Sequence, residues 1–134
     1  MEEYREQART ALDFMTYAPL VFVSAKFGQR VQQVMDTALS VVSERHRRVS
    51  TAALNKMLKD AVAAHPPPTK PGKWLKFLYA TQADVSPPTF VFFMNDPAQI
   101  HFSYRRYLEN KLRETFGFTG TAIRMSFRGR DEGR

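Results

Sequence analysis

The chain has 134 residues, 43% of them hydrophobic and 13% aromatic, with a formal net charge of +7 and a pI near 10.0. That composition leaves room for one compact domain, or a smaller domain plus a fragment, and excludes a chain disordered throughout. The absence of cysteine excludes disulfides, thiolate metal sites and a cysteine nucleophile, which suits a cytoplasmic location, and no apolar run approaches the roughly 20 residues of a membrane span.

Glu2 to Met15 reads as a helix, with Ala8, Ala11, Leu12 and Met15 toward one face. Its charged residues leave no apolar segment of the signal-peptide kind. Pro19 stops it. The unbroken apolar run Leu20–Val23 fits a strand buried on both faces. Ser24 to Gly28 is the loop at its end. Gln29 to Ser43 follows as a helix with a broad apolar face of Val31, Val34, Met35, Ala38, Leu39 and Val42. One strand cannot form a sheet, so residues 1–43 read as an incomplete α/β unit.

A second unit spans residues 44–130, with 131–134 as a tail. Glu44 to Arg48 is a basic hinge, and Ser50 caps a helix reaching about Ala64, with Leu54, Met57, Leu58, Ala61 and Val62 inward. Three prolines after His65 end it. Trp74 to Gln82 is a strand with Leu75, Phe77 and Tyr79 on one face. Pro87-Pro88 makes a turn into a second aromatic strand, Thr89 to Met94. A helical turn from Pro97 leads to a helix capped by Ser103 and stopped by Gly117. That helix turns Tyr104, Tyr107, Leu108, Leu112 and Thr115 inward and Arg105, Arg106, Lys111 and Arg113 outward. Thr121 to Arg128 is the last strand. The order α-β-β-α-α-β gives an α+β fold, a three-stranded sheet with helices on one face.

The charge is uneven. Residues 1–43 carry four basic and five acidic side chains, residues 44–76 eight and two, and residues 101–134 eight and four, while residues 77–100 have two Asp and no Lys or Arg. All the excess positive charge follows Glu44, which favours a polyanionic partner over a merely solvated surface.

Tyr79, Thr81 and Gln82, the run PPTFVFFMN (Pro87 to Asn95), SYRRYLENKLRETFGFTG (Ser103 to Gly120) and Ile123-Arg124 carry a resemblance over about ninety residues. Their order is that of a type II KH domain. Their wording resembles the C-terminal KH-like domain of the Der/EngA family, bacterial GTPases with two tandem G domains implicated in assembly of the large ribosomal subunit. Ala122 stands where that family usually has Pro. The resemblance implies that residues 1–43 are the end of the second G domain. It also implies that Ser24-Ala25-Lys26 is the guanine loop, with the Ala25 backbone N–H on the guanine O6 and Lys26 flanking the base. The other reading of that tripeptide is an ordinary strand-to-helix turn.

The rest of a GTP site is absent from this sequence. No GxxxxGK[ST] phosphate loop occurs, and Asn55-Lys56-Met57-Leu58 and Asn110-Lys111-Leu112-Arg113 lack the Asp of a guanine-reading NKxD. This chain alone is therefore expected to be no enzyme and to hold no cofactor, with GTP and Mg²⁺ belonging to the parent protein. His46, His65 and His101 are scattered and suggest no metal site, and Asp84 and Asp96 read as turn formers.

A KH domain grips nucleotides with a GxxG loop, which would fall between Pro97 and Ser103, yet no glycine lies between Gly72 and Gly117. The expected mode is contact with structured ribosomal RNA by charge and shape. The candidate residues are Arg45, Arg47 and Arg48 on the hinge, Lys70 and Lys73 on the Pro-rich loop, Arg105, Arg106, Lys111 and Arg113 on the helix, and Arg124, Arg128 and Arg130 near the end. Trp74, Phe90, Phe92 and Phe93 read as core, with base stacking as the alternative. The expected partners are the large ribosomal subunit and its RNA, and the parent's own G domains, with neither membrane nor DNA. A docking domain for those G domains, without RNA contact, is the alternative function.

Overall fold

The computed structural model describes residues 1–130; the tail at 131–134 lies outside the described residues. The aromatic run Thr89–Met94 forms the central strand, β2, with the bounds its flanking turn signals predict. Its antiparallel neighbour β1 is Phe77–Asp84, and its parallel neighbour β3 is Arg124–Arg128, giving the order β1-β2-β3. A parallel pair needs a crossover. A 3-10 turn at Pro97–Gln99 and helix α4, Phe102–Phe116, supply it. Helix α3, Thr51–Ala64, lies before β1 in the chain and packs beside α4 on the same face of the sheet. The α+β order predicted from the sequence is the order observed.

The core follows from the two periodicities. Leu54, Met57, Leu58 and Ala61 of α3 and Tyr104, Leu108 and Leu112 of α4 meet Ala80, Phe90 and Phe92 of the sheet, and Phe118 closes one end. Thr115, expected inward, is exposed. The last carbonyls of a helix run short of intrahelical partners; at the end of α3, Ala61 O accepts the capping His65 N–H at 3.1 Å. Tyr104 donates to His65 O at 2.8 Å and Tyr107 to Ala61 O at 2.7 Å, fastening α4 across that end. Burial, and secondarily Tyr107, pushes the Tyr104 hydroxyl up to about 12, so it remains a neutral donor.

β1 departs from simple alternation. Phe77 pairs with Met94 and Tyr79 with Phe93, leaving Leu78 as an extra residue. This bulge turns both Phe77 and Ala80 toward the helices and sends Tyr79 to the opposite face, stacked on Phe93 at 4.5 Å. The expected grouping of Tyr79 with Phe77 is thereby corrected. The outer edge of β1 is also occupied at one point, where Asn55 of α3 accepts from Ala80 N at 2.8 Å and donates to Ala80 O at 2.9 Å.

Other boundaries shift for local reasons. Helix α1 is Glu2–Ala11; Leu12 leaves helical geometry and Asp13–Met15 continues as a 3-10 turn. Helix α2 is Val31–Arg45, starting after Arg30 in the left-handed region and absorbing the first two residues of the expected hinge. β1 starts at Phe77 instead of Trp74, and β3 at Arg124 instead of Thr121. Ser50 caps α3 as expected, its Oγ accepting from Ala53 N at 3.2 Å. The cap of α4 is His101, whose Nδ1 accepts the Ser103 N–H at 3.1 Å, because Ser103 is already inside the first turn.

The strand expected at Leu20–Val23 does not form. Among the described residues no neighbouring strand offers it hydrogen bonds, and an isolated strand is not stable alone. Only a bridge between Ser24 and Gln29 closes the loop that follows. The apolar stripe of α2 is likewise exposed, with Leu39 at 64% and Met35 at 58% of their full accessibility.

Residues 1–45 are nonetheless fastened to the sheet unit. Gly120 N donates to Tyr17 O at 3.1 Å, Ser86 N to Arg45 O at 2.9 Å, and Phe118 N to the Glu44 carboxylate at 2.9 Å. Gly120 has φ of +85°, and a Cβ there would overlap Val41 of α2. Gly120→Ala is expected to cost roughly 1–2 kcal/mol through backbone strain and to loosen this joint. Hydrogen exchange should quicken across α2 while the α3–α4 core keeps its protection; unchanged exchange in α2 would argue against the joint.

Candidate nucleic-acid interface

The twelve cations predicted to meet RNA divide by what their side chains hold. Helix α4 ends at Gly117, and the chain folds back over its last turn. That return brings Phe118 O and Thr121 O against Arg113, which donates to both at 3.0 Å. Its guanidinium also lies 4.8 Å from the Tyr17 ring centre and 3.8 Å from Glu109. Burial lowers the Arg113 pKa from its ordinary value, with Glu109 and Tyr17 opposing the shift. The expectation that Arg113 faces outward is thus corrected: it is an internal brace.

The hinge cations are partly committed as well. Arg47 donates to Phe116 O at 2.6 Å and pairs with Glu44 at 3.0 Å. Arg48 donates to Gln82 O at 3.3 Å. Arg45, in the last turn of α2, is half-buried. Lys111 pairs with Glu114 at 3.1 Å and lies 5.8 Å from the Tyr107 ring centre. The Arg47 and Arg48 bonds join segments far apart in the chain and limit how far these two side chains can turn toward a partner, whereas the Lys111 contacts are local to α4.

The remaining candidates are exposed: Lys70 and Lys73 in the loop before β1, Arg105 and Arg106 on α4, and Arg124, Arg128 and Arg130 on or after β3. Arg105 stacks over the Phe127 ring at 4.7 Å. That contact sets the start of α4 beside the end of β3, while Arg128, next along the strand and paired with Phe93, is exposed on the opposite face of the sheet. An arginine stacked on a ring keeps its donors free for phosphate. Lys70 and Lys73 form a separate group, lining a hollow of about 190 Å³ with Gln99 and His101. Lys56, Lys59 and Lys76, exposed on α3 and before β1, extend the positive surface and were missed by the sequence reading. For Lys56 and Lys59 the available signal was their place on the outward side of the α3 periodicity.

The aromatics separate in the same way. Phe90 and Phe92 are fully buried and Phe93 is 8% exposed, so the three belong to the packing, whereas Trp74 is 64% exposed.

The loop read as a guanine contact is short and open. Ser24 and Gln29 exchange two backbone hydrogen bonds at 3.1 Å, and Gly28 takes φ of +68° to complete the turn. Ala25 and Lys26 are exposed, with Lys26 Nζ 5.5 Å from the Phe27 ring centre. The Asn of each partial NKxD is placed differently: Asn55 binds the β1 edge and Asn110 lies exposed on α4. Among the described residues no group of three His, Cys, Asp or Glu side chains gathers as for a metal. No helix among them is long and apolar enough to cross a membrane.

Comparison with known proteins agrees with this fold. The chain is 59% identical over 130 residues to GTPase Der of Thermomicrobium roseum, covering 97% of this chain and 28% of that protein. It is 54% identical over 128 residues to GTPase Der of Moorella thermoacetica, covering 96% and 29%. With GTPase Der of Desulfitobacterium hafniense it shares 52% over 134 residues, covering 100% and 30%. The chain thus spans less than a third of the length of these relatives. Residues 48–128, from the hinge through β3, match the KH-domain-like region of EngA bacterial GTPase enzymes, C-terminal, and the chain belongs to that family.

Proposed function

We propose that this chain is the C-terminal portion of a cytoplasmic GTPase of the Der kind, and that its KH-like domain contacts RNA of the large ribosomal subunit during assembly. The observation that carries the RNA reading is the sorting of its cations. Arg113, Arg47 and Arg48 brace the fold, yet an exposed set remains: Arg105 and Arg106 on α4, and Arg124, Arg128 and Arg130 on or after β3. Without a GxxG loop, such a surface offers phosphate contacts and shape with little base readout. GTP binding and hydrolysis, with Mg²⁺, belong to the parent's G domains. There Ser24, Ala25 and Lys26 would supply one edge of the guanine site, which the open loop at these residues allows.

The test is a salt series of binding to naked ribosomal RNA. Affinity should fall steeply as salt rises, and replacing Arg105 and Arg106 by alanine should reduce the salt slope by roughly one per arginine that meets a phosphate. Binding insensitive to salt, or undetectable at low salt for a folded chain, contradicts it.

A second reading rests on its own observation. The exposed apolar stripe of α2 belongs to a segment latched to the sheet unit through Gly120 and Glu44. G domains packed on that stripe would use the KH-like domain as a docking and regulatory element. Binding to those domains that differs between GTP and GDP favours it, and the two roles are compatible.

A further inference from the structure

Trp74 is the only tryptophan of the chain, and it is 64% exposed just before an edge strand. An exposed indole is ordinarily free to reorient; the backbone that carries this one is clamped. Asn95 donates through Nδ2 to Trp74 O at 2.8 Å and accepts at Oδ1 from Lys76 N at 2.8 Å. Asn95 N also donates to Lys76 O at 3.1 Å. The indole is therefore presented from a fixed backbone.

Its neighbours along the chain are cationic. Lys70, Lys73 and Lys76 flank it in sequence, and no Asp or Glu occurs from Ala61 to Ala83; across the clamp, the carboxylate of Asp96 stands next to Asn95. The clamped segment separates two hollows, and Leu75 lines both. One, of about 190 Å³, is bordered by Lys70, Lys73 and His101; the other, of about 530 Å³, is bordered by Lys59, Lys76 and Leu78. An aromatic face between lysines is the arrangement that takes an unpaired base on the ring and its phosphates on the ammonium groups. An apolar peptide would find the same ring but no use for the lysines around it.

We propose that Trp74 is a stacking site for an unpaired nucleobase of RNA, with Lys73 and Lys76 on the flanking phosphates. The proposal rests on the RNA-contact reading above and adds to it a single-stranded element that charge alone does not select. Phosphate contacts serve duplex and single strand alike, whereas a stacked base must be unpaired.

The sole tryptophan is its own reporter. The 134-residue chain is titrated at low salt with an oligoadenylate of about 12 nucleotides and with an RNA duplex of equal length. The single strand should quench Trp74 emission. Trp74→Ala should bind it about tenfold more weakly, with Trp74→Phe recovering most of the loss. Duplex affinity should be the same in all three proteins, and so should the thermal midpoint, because the side chain is exposed. RNA binding that leaves the emission and the Trp74→Ala affinity unchanged overturns the stacking site but leaves the RNA reading standing. A folded chain that binds neither RNA overturns both. An emission change produced only by the parent's G domains assigns Trp74 to a protein contact and likewise overturns the proposal.

Discussion

Replacing Phe92 by alanine should unfold a large fraction of the KH-like unit at moderate temperature. The ring is fully buried in the central strand, stacked on Phe127 at 5.2 Å and edge-on to Phe77 at 6.4 Å. It lies between β2 and both helices, so truncation leaves a cavity that no exposed neighbour can fill. The expected cost is about 3–5 kcal/mol, against a total of roughly 5–15 for a domain. A thermal melt followed by circular dichroism should shift by on the order of 15 °C. Phe102, 68% exposed at the start of α4, provides the contrast, since its replacement should fall within about 0.5 kcal/mol of the parent. Equal effects at the two positions would mean that the sheet is not where the core lies.

Gln82→Ala should show the next largest effect, by a different mechanism. Gln82 is 7% exposed and its side chain reaches out of β1 to the hinge. Oε1 accepts from Val49 N at 2.7 Å, and Nε2 donates to Arg47 O at 3.0 Å. Alanine leaves a backbone donor and an acceptor of the hinge without these partners, at a cost of about 2–3 kcal/mol. Gln82→Glu preserves the acceptor but loses the donor and adds a charge at a buried position, so it should not rescue. A urea midpoint that falls for alanine and recovers for glutamate would contradict the amide's two-sided role.

These two residues also show what was legible in the sequence. Phe92 sits in a run framed by Pro87-Pro88 and Asn95-Asp96-Pro97, and turn chemistry at both ends makes the strand readable. The helical periodicities of α3 and α4 are long enough to yield their inward faces directly. The resemblance carried by Pro87 to Asn95 and Ser103 to Gly120 then named the family. What stayed illegible depends on partners distant in the chain. The bulge at Leu78 exists only in register against Met94 and Phe93. The run Leu20–Val23 has the composition of a strand, but its pairing has to come from elsewhere.

The cation surface illustrates the same limit. Arg105 and Arg113 are both outward-looking positions in a helical pattern, yet one is exposed over Phe127 and the other binds two carbonyls of the returning chain. Arg47 meets Phe116 across sixty-nine residues. No local pattern distinguishes a solvated arginine from a brace. Gln82 and Asn95 were likewise invisible as organisers, because an amide in a strand or turn gains meaning only from the backbone it reaches.

The most direct measurement is co-sedimentation of the folded 134-residue chain with large ribosomal subunits across a salt series, beside the variant lacking Arg105 and Arg106. Binding that weakens steeply with salt and is weaker in the variant at every salt concentration is the expected result. A folded chain that stays in the supernatant at low salt, while the parent's G domains sediment without it, would contradict the RNA-contact role and leave docking to those domains as its function.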